Sequence, residues 1–153
     1  ELARTVTKNA YTFATSLVRN NGDGSFTLVP LPAEAQFAPV YGILASDVDR
    51  DGHTDLLLGG NFDGVQPVLG RMAASYGLLL RGDGKGSFTP VAGTRSGFVV
   101  PGQTRDIQRV RTARGDLYLI ARNNDRALAF RAAKAGAASQ TVAARTRTRV
   151  SSF

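Results

Sequence analysis

The chain has 153 residues, of which 42% are hydrophobic, and this is enough for one ordinary domain with a buried core. It contains no cysteine and a single histidine, so disulfide bonds, thiolate metal sites and multi-histidine metal sites are excluded, and no apolar run reaches the roughly 18 residues of a membrane-spanning helix. The net charge of +7 is uneven: residues 1–100 hold 8 basic and 9 acidic residues, whereas residues 101–153 hold 11 and 3, an asymmetry typical of an anionic partner or a basic tail.

Two short strands are predicted near the start of the chain, at residues 11–18 and 26–29. The turn between them reads NNGDGS, and an Asp-Gly pair between two apolar runs favours a β-hairpin because glycine tolerates the positive φ that tight turns need. The chain's 17 glycines and six prolines indicate many such turns, so we predict an all-β fold.

An acidic loop at residues 47–55 lies between predicted strands at 40–45 and 56–58. Four carboxylates in so short a segment repel one another unless a cation lies among them, and Ca²⁺ takes about 6–8 oxygen ligands. We therefore predict a calcium site formed by four carboxylates and, at position 7 of the loop, a backbone carbonyl. The predicted ligands are Asp47, Asp49, Asp51, His53 (through its carbonyl oxygen) and Asp55.

The segment after this loop distinguishes it from an EF-hand. An EF-hand continues as a helix and supplies a bidentate Glu at position 12, where this chain has Leu58 at the end of a short apolar run. Gly52 stands where the chain must turn sharply around the ion. The alternative is an acidic turn that binds no metal, but such a turn has no need of regularly spaced carboxylates.

The next predicted elements are a long loop at residues 61–75 and two strands at 76–80 and 88–91. The turn between these strands, RGDGKGSFT at residues 81–89, echoes NNGDGSFT at residues 20–27. Because both copies lie between apolar runs, we predict that the chain contains an internal repeat of a hairpin.

The strand pattern then continues without an acidic loop. Further strands are predicted at 106–110, 116–121 and 127–130. An Arg114-Gly115 turn joins the first two of them, so no metal is expected there. Residues 132–153, in which Thr and Arg alternate from Arg145 to Arg149, are predicted to be a basic linker or tail; the alternation would also suit a strand with one basic face.

The order of elements over residues 40–92 is typical of a four-stranded propeller blade. The segments ASDVDRDGHTDLL at 45–57 and GDGKGSF at 82–88 resemble the VCBS/FG-GAP repeat family, whose blades build integrin-α-like β-propellers. The similarity covers residues 11–131 and is to the C-terminal blades of a large secreted bacterial member. The resemblance implies structural calcium in the acidic loop and an extracellular or cell-surface location.

On this basis the chain holds about two and a half blades. We expect residues 1–39 to end a preceding blade, 40–92 to form a complete calcium-bearing blade, 93–131 to form a degenerate blade, and 132–153 to be the basic tail. Because a closed propeller has about 4–8 blades, the ring would be completed by other blades of a larger chain or by further copies of this one, with a compact two-sheet arrangement as the alternative.

The resemblance further implies a non-catalytic binding or scaffold segment that contacts a protein or a glycan. The alternatives are the non-catalytic part of a secreted lyase or hydrolase, and binding of an anionic polymer through residues 132–153. Specific nucleic-acid binding is not expected, because that basic segment has no aromatic side chain for base stacking except Phe153.

Overall fold

The structure is a computed structural model that describes residues 6, 8–66, 68 and 70–132. The described residues form antiparallel sheets, which confirms the predicted all-β class. A 3₁₀ helix (Ala33–Gln36) and one α-helical turn, α1 (Gly93–Ser96), each follow a hairpin. The strands are β1 (Ser16–Asn20), β2 (Phe26–Pro30), β3 (Val40–Ser46), β4 (Asp55–Gly60), β5 (Leu78–Gly82), β6 (Phe88–Val91), β7 (Thr104–Thr112), β8 (Gly115–Arg122) and β9 (Leu128–Arg131).

The strands are arranged in three sheets in which sequence neighbours are also neighbours in space. β1 and β2 form a hairpin, β3 to β6 a four-stranded sheet, and β7 to β9 a three-stranded sheet. Every strand predicted up to residue 130 is present, but the first begins at Ser16 and not at residue 11, because its partner β2 ends at the Ser16–Pro30 pair. Tyr11 and Phe13, which made that segment look like a strand, are exposed. The predicted basic tail lies, from residue 133 onward, outside the described residues.

Strand β4 is buried on both faces, so that its adjacent leucines point into two different cores. Leu57 packs with Ile107 and Ile120 of the three-stranded sheet. Leu58 packs with Leu80 and with Ala35 of the 3₁₀ helix. This explains the continuous apolar run of β4, since a strand that is buried on both faces does not alternate apolar and polar residues.

The two larger sheets approach closely where β3 and β4 carry glycines. A Cβ atom on Gly59 would lie 2.6 Å from Cγ2 of Thr104, and one on Gly42 would lie 3.0 Å from Cγ1 of Ile107. Glycine is therefore required at position 59 because no side chain fits against β7 there.

The same two sheets have a register shift and a backbone hydrogen bond at equivalent positions. The register shifts between Val40 and Gly42 in one sheet and between Thr104 and Asp106 in the other. Just after the second strand, Asn61 N–H donates to the carbonyl of Pro39 (3.1 Å), and Asn123 N–H donates to that of Gln103 (2.8 Å). The shared register shift and hydrogen bond make β3 and β4 the structural counterparts of β7 and β8. That these sheets are propeller blades, with the domain boundaries given above, stays a prediction.

Candidate metal centre

The acidic loop brings together three of the predicted ligands. Asp47, Asp49 and Asp55 each place one carboxylate oxygen so that the three oxygens lie within 4.8 Å of one another. The pairing of β3 with β4 brings these carboxylates together, because β3 ends at Ser46 and β4 begins at its register partner Asp55. The loop therefore leaves and re-enters the sheet at one point, and its first and last carboxylates become neighbours.

Asp55 is the structural anchor of the loop. It is 1% exposed, its Oδ2 accepts a hydrogen bond from the Val48 N–H (2.9 Å), and its Oδ1 accepts one from the Gly82 N–H of β5 (3.0 Å). Burial of a carboxylate is costly unless hydrogen bonds and opposite charge compensate it. The two N–H groups supply part of that compensation and tie the loop to a strand that lies far from it in sequence.

Asp47 has one oxygen that no group in the described part of the chain satisfies. Its Oδ2 accepts a hydrogen bond from the Gly52 N–H (3.1 Å), whereas its Oδ1 is buried and has no hydrogen-bond partner among residues 6, 8–66, 68 and 70–132. Among the described residues only Thr104 Oγ1 is in the same situation. An unsatisfied buried carboxylate oxygen is costly, and next to two further carboxylates the group that would satisfy it is a cation.

Asp51 lies outside the group of three carboxylates, and its predicted role as a metal ligand stays a prediction. Its Oδ1 accepts a hydrogen bond from the His53 N–H (2.9 Å), and its Oδ2 accepts one from Nη2 of Arg81 (3.0 Å). The pKa of Asp51 is lowered, first by the His53 N–H and then by Arg81. Both oxygens of Asp51 therefore have protein partners, as do both oxygens of Asp49 and of Asp55.

The remaining predicted features of the loop concern Gly52 and His53. Gly52 has a φ of +89°, which matches the sharp turn predicted for it. His53 is exposed, and its imidazole lies so close to Gly84 that a side chain there would collide with the ring. Its predicted contribution was the backbone carbonyl, and that assignment stays a prediction.

Arg81 is a further charged residue at the loop, which the spacing of the aspartates did not predict. Its Nε lies 2.8 Å from Oδ2 of Asp49, in addition to its contact with Asp51, so that one guanidinium spans two carboxylates of the loop. The pKa of Arg81 is raised, first by the hydrogen bond to Asp51 and then by the charge of Asp49. Because β5 pairs with β4 and Leu80 lies opposite Leu56, the next residue of β5, Arg81, lies beside the loop.

Two other acidic residues, in the glycine-rich turns, are satisfied by their own backbone. Asp83 Oδ1 accepts hydrogen bonds from the N–H groups of Lys85 (2.7 Å) and Ser87 (3.0 Å), which lower the pKa of Asp83. Asp23 bonds to the hydroxyl and N–H of Ser25, and these bonds lower its pKa as well. Among the described residues, neither carboxylate has a buried oxygen without a hydrogen-bond partner, in contrast to Asp47. Asp23 and Asp83 therefore stabilise their own hairpin turns.

The comparisons with known proteins leave the resemblance to the VCBS/FG-GAP family as a prediction. No family model matches the chain, and no curated protein and no solved structure matches it. Within the part of the chain that the structure describes, no helix has the length and apolar character needed to cross a membrane.

Proposed function

We propose that this chain is a calcium-stabilised, non-catalytic binding or scaffold module built from propeller-type blades. The observation that carries the proposal is that Asp47, one of the group of three carboxylates, has a buried Oδ1 without a hydrogen-bond partner in the described part of the chain. A protein that kept this arrangement without a cation would bear the cost of an unsatisfied buried oxygen and of mutual repulsion. A bound cation removes both costs.

The donor set favours calcium. Asp47, Asp49 and Asp55 offer carboxylate oxygens only, which suits a hard cation and not zinc, for which nitrogen and sulfur ligands are typical. The flexible coordination of Ca²⁺ also suits an irregular loop better than the strict octahedron of Mg²⁺. Carbonyl oxygens such as that of His53, and water, would complete the ligand set.

The ion would have a structural role. Asp55 already links the loop to β5 through the Gly82 N–H, and Ser46 at the end of β3 is its register partner. A cation held by both ends of the loop would therefore fasten β3, β4 and β5 at one end of the sheet. If the predicted extracellular location holds, the site needs an affinity of only about 10⁻⁴–10⁻³ M.

Repetition within the chain supports the blade interpretation. The glycine-rich turns share backbone conformation as well as sequence: Gly22 and Gly24 correspond to Gly84 and Gly86, and all four have positive φ. The larger sheets share a register shift, as described above. In this arrangement the partners are further blades or further copies, and the assembled surface binds a protein or a glycan.

The test is thermal unfolding in about 2 mM EDTA and in millimolar CaCl₂, concentrations chosen from the expected affinity. We expect calcium to raise the melting temperature by roughly 5 °C at a tenfold excess over the dissociation constant. The variants D47N and D49A should remove most of this rise. D23N is the matched control, because it removes one carboxylate from a turn outside the loop and should leave the rise intact. Equal melting of the unaltered protein in both solutions would contradict the proposal.

A further inference from the structure

Arg81 reaches the acidic loop from another strand. Its guanidinium contacts Oδ2 of Asp49 at 2.8 Å and Oδ2 of Asp51 at 3.0 Å, across 30 residues of sequence in the second case. The fork geometry of arginine allows one side chain to hold two carboxylates in a fixed relation. Asp49 therefore forms an ion pair with Arg81 and is also one of the three grouped carboxylates.

The two oxygens of Asp49 are both engaged in this arrangement. Oδ1 accepts a hydrogen bond from the Asp51 N–H (3.2 Å), and Oδ2 faces Arg81. Asp47, by contrast, has a buried oxygen with no hydrogen-bond partner within the described ranges. A cation that enters at Asp47 must consequently share Asp49 with Arg81 or displace the guanidinium from it.

We infer that Arg81 is the built-in counter-cation of the loop: it holds Asp49 and Asp51 in place when no metal is bound, and it lowers the affinity of the site for calcium. This inference rests on the proposed calcium site. Calcium affinity in such loops follows the net charge of the ligands, and Arg81 cancels one of their negative charges. Removal of this charge next to a divalent ion should tighten binding roughly tenfold.

The consequence for the protein is a site that loads only where calcium is abundant. With Arg81 in place the metal-free loop keeps its shape, so that loss of calcium weakens the sheet without opening it. Without Arg81 the carboxylates would repel one another in the metal-free state, and the protein would depend on calcium to a greater extent.

The chain offers a matched control in Arg19. It occupies the position in β1 that Arg81 occupies in β5, since the turns that follow, at residues 20–27 and 82–89, repeat each other. Arg19 is exposed and has no ion pair with an acidic residue in the described ranges. A change of Arg19 therefore alters the charge of the protein equally without altering the loop.

The experiment is a calorimetric titration of the full chain with CaCl₂, for the unaltered protein and for R81Q, R81K and R19Q. We expect R81Q to bind calcium roughly tenfold more tightly, R81K to bind within about threefold of the unaltered protein because the charge is kept, and R19Q to be unchanged. Equal or weaker binding by R81Q, with binding by the unaltered protein intact, would overturn this inference and leave the calcium site standing. Absence of binding by every form would overturn both.

A second measurement tests the role of Arg81 in the metal-free protein, separately from its effect on calcium affinity. In EDTA, R81Q should melt at a lower temperature than R19Q, and calcium should raise its melting temperature by more than it raises that of the unaltered protein. If R81Q does not fold without calcium, R81K in EDTA provides the readout, because its point charge cannot hold both carboxylates and a smaller decrease is expected. Melting of R81Q and R81K in EDTA at the temperature of the unaltered protein would contradict the inference.

Discussion

The four-stranded and three-stranded sheets connect their first two strands by loops of very different length. β3 and β4 are joined by residues 47–54, whereas β7 and β8 are joined by only Ala113 and Arg114. Both pairs of strands have the same register shift and the same closing hydrogen bond from an asparagine N–H. The short turn shows that this joint does not require a long loop. The extra length and the carboxylates of the longer loop are consistent with the proposed cation site.

The two sheets also differ in how their first strand is covered. Ile107 of β7 is 1% exposed, because it packs against the four-stranded sheet, whereas its counterpart Ile43 of β3 is 58% exposed. The hairpin of β1 and β2 has a long exposed apolar side as well, with Phe26 64% exposed. The uncovered side of β3 is consistent with the expectation that further blades or copies adjoin this chain.

The largest expected effect concerns Asp55. The D55A variant removes an acceptor for the N–H groups of Val48 and Gly82 in a buried position, and we expect it to lower the free energy of unfolding by about 3 kcal/mol even in EDTA. The measurement is urea unfolding. Asp116 near the start of β8 is the control, because it is partly exposed and lies 3.9 Å from Arg109, so D116A should cost less than about 0.5 kcal/mol. Equal costs for the two variants would show that the loop has no special anchor.

The second prediction compares the isoleucines. Ile107→Ala should lower the free energy of unfolding by about 3 kcal/mol, since it leaves a cavity in the core between the sheets. Ile43→Ala should change it by less than about 0.5 kcal/mol in dilute protein, because this side chain is mostly exposed. A large cost for Ile43→Ala in dilute solution would mean that β3 is covered on both sides.

The third prediction concerns the close approach at Gly59. Its counterpart in the three-stranded sheet is the exposed Ala121, so a methyl group is tolerated there, whereas at position 59 it would meet Thr104. We expect Gly59→Ala to cost about 2 kcal/mol by urea unfolding, and Thr104→Ala in the same chain to recover part of that cost. Ala121→Gly should cost no more than about 1 kcal/mol. A neutral Gly59→Ala would refute the close packing of the two sheets.

The smallest expected effect is the pH dependence of the turn that joins β5 and β6. The N–H groups of Lys85 and Ser87 lower the pKa of Asp83 below its ordinary value of 3.8. A lowered pKa in the folded state means that the ionised carboxylate stabilises the turn above pH 3.8, and that this contribution is lost as the pH falls through the lowered value. The difference in unfolding free energy between the unaltered protein and D83N, measured in EDTA, should therefore shrink between about pH 5 and about pH 3. A constant difference would contradict this.

The sequence predicted the strands and their turns well, because short apolar runs bounded by glycine leave few alternatives to strands. It did not predict where β1 begins, since the exposed Tyr11 and Phe13 resemble buried strand residues in sequence. Within the site, the local spacing of aspartates predicted the grouping of Asp47, Asp49 and Asp55. The engagement of Asp51 by Arg81 depends on the pairing of distant strands, and local spacing contains no information about it.

The most direct test of the calcium site is the stoichiometry of binding, measured by calorimetric titration of the unaltered protein and D47N. The amide side chain that D47N introduces retains an oxygen for the Gly52 N–H but lacks the charge that the site needs. We expect one Ca²⁺ per chain with a dissociation constant of about 10⁻⁴–10⁻³ M, and no binding by D47N in that range. No heat of binding from the unaltered protein up to about 10 mM calcium, or identical binding by D47N, would contradict a calcium site between β3 and β4.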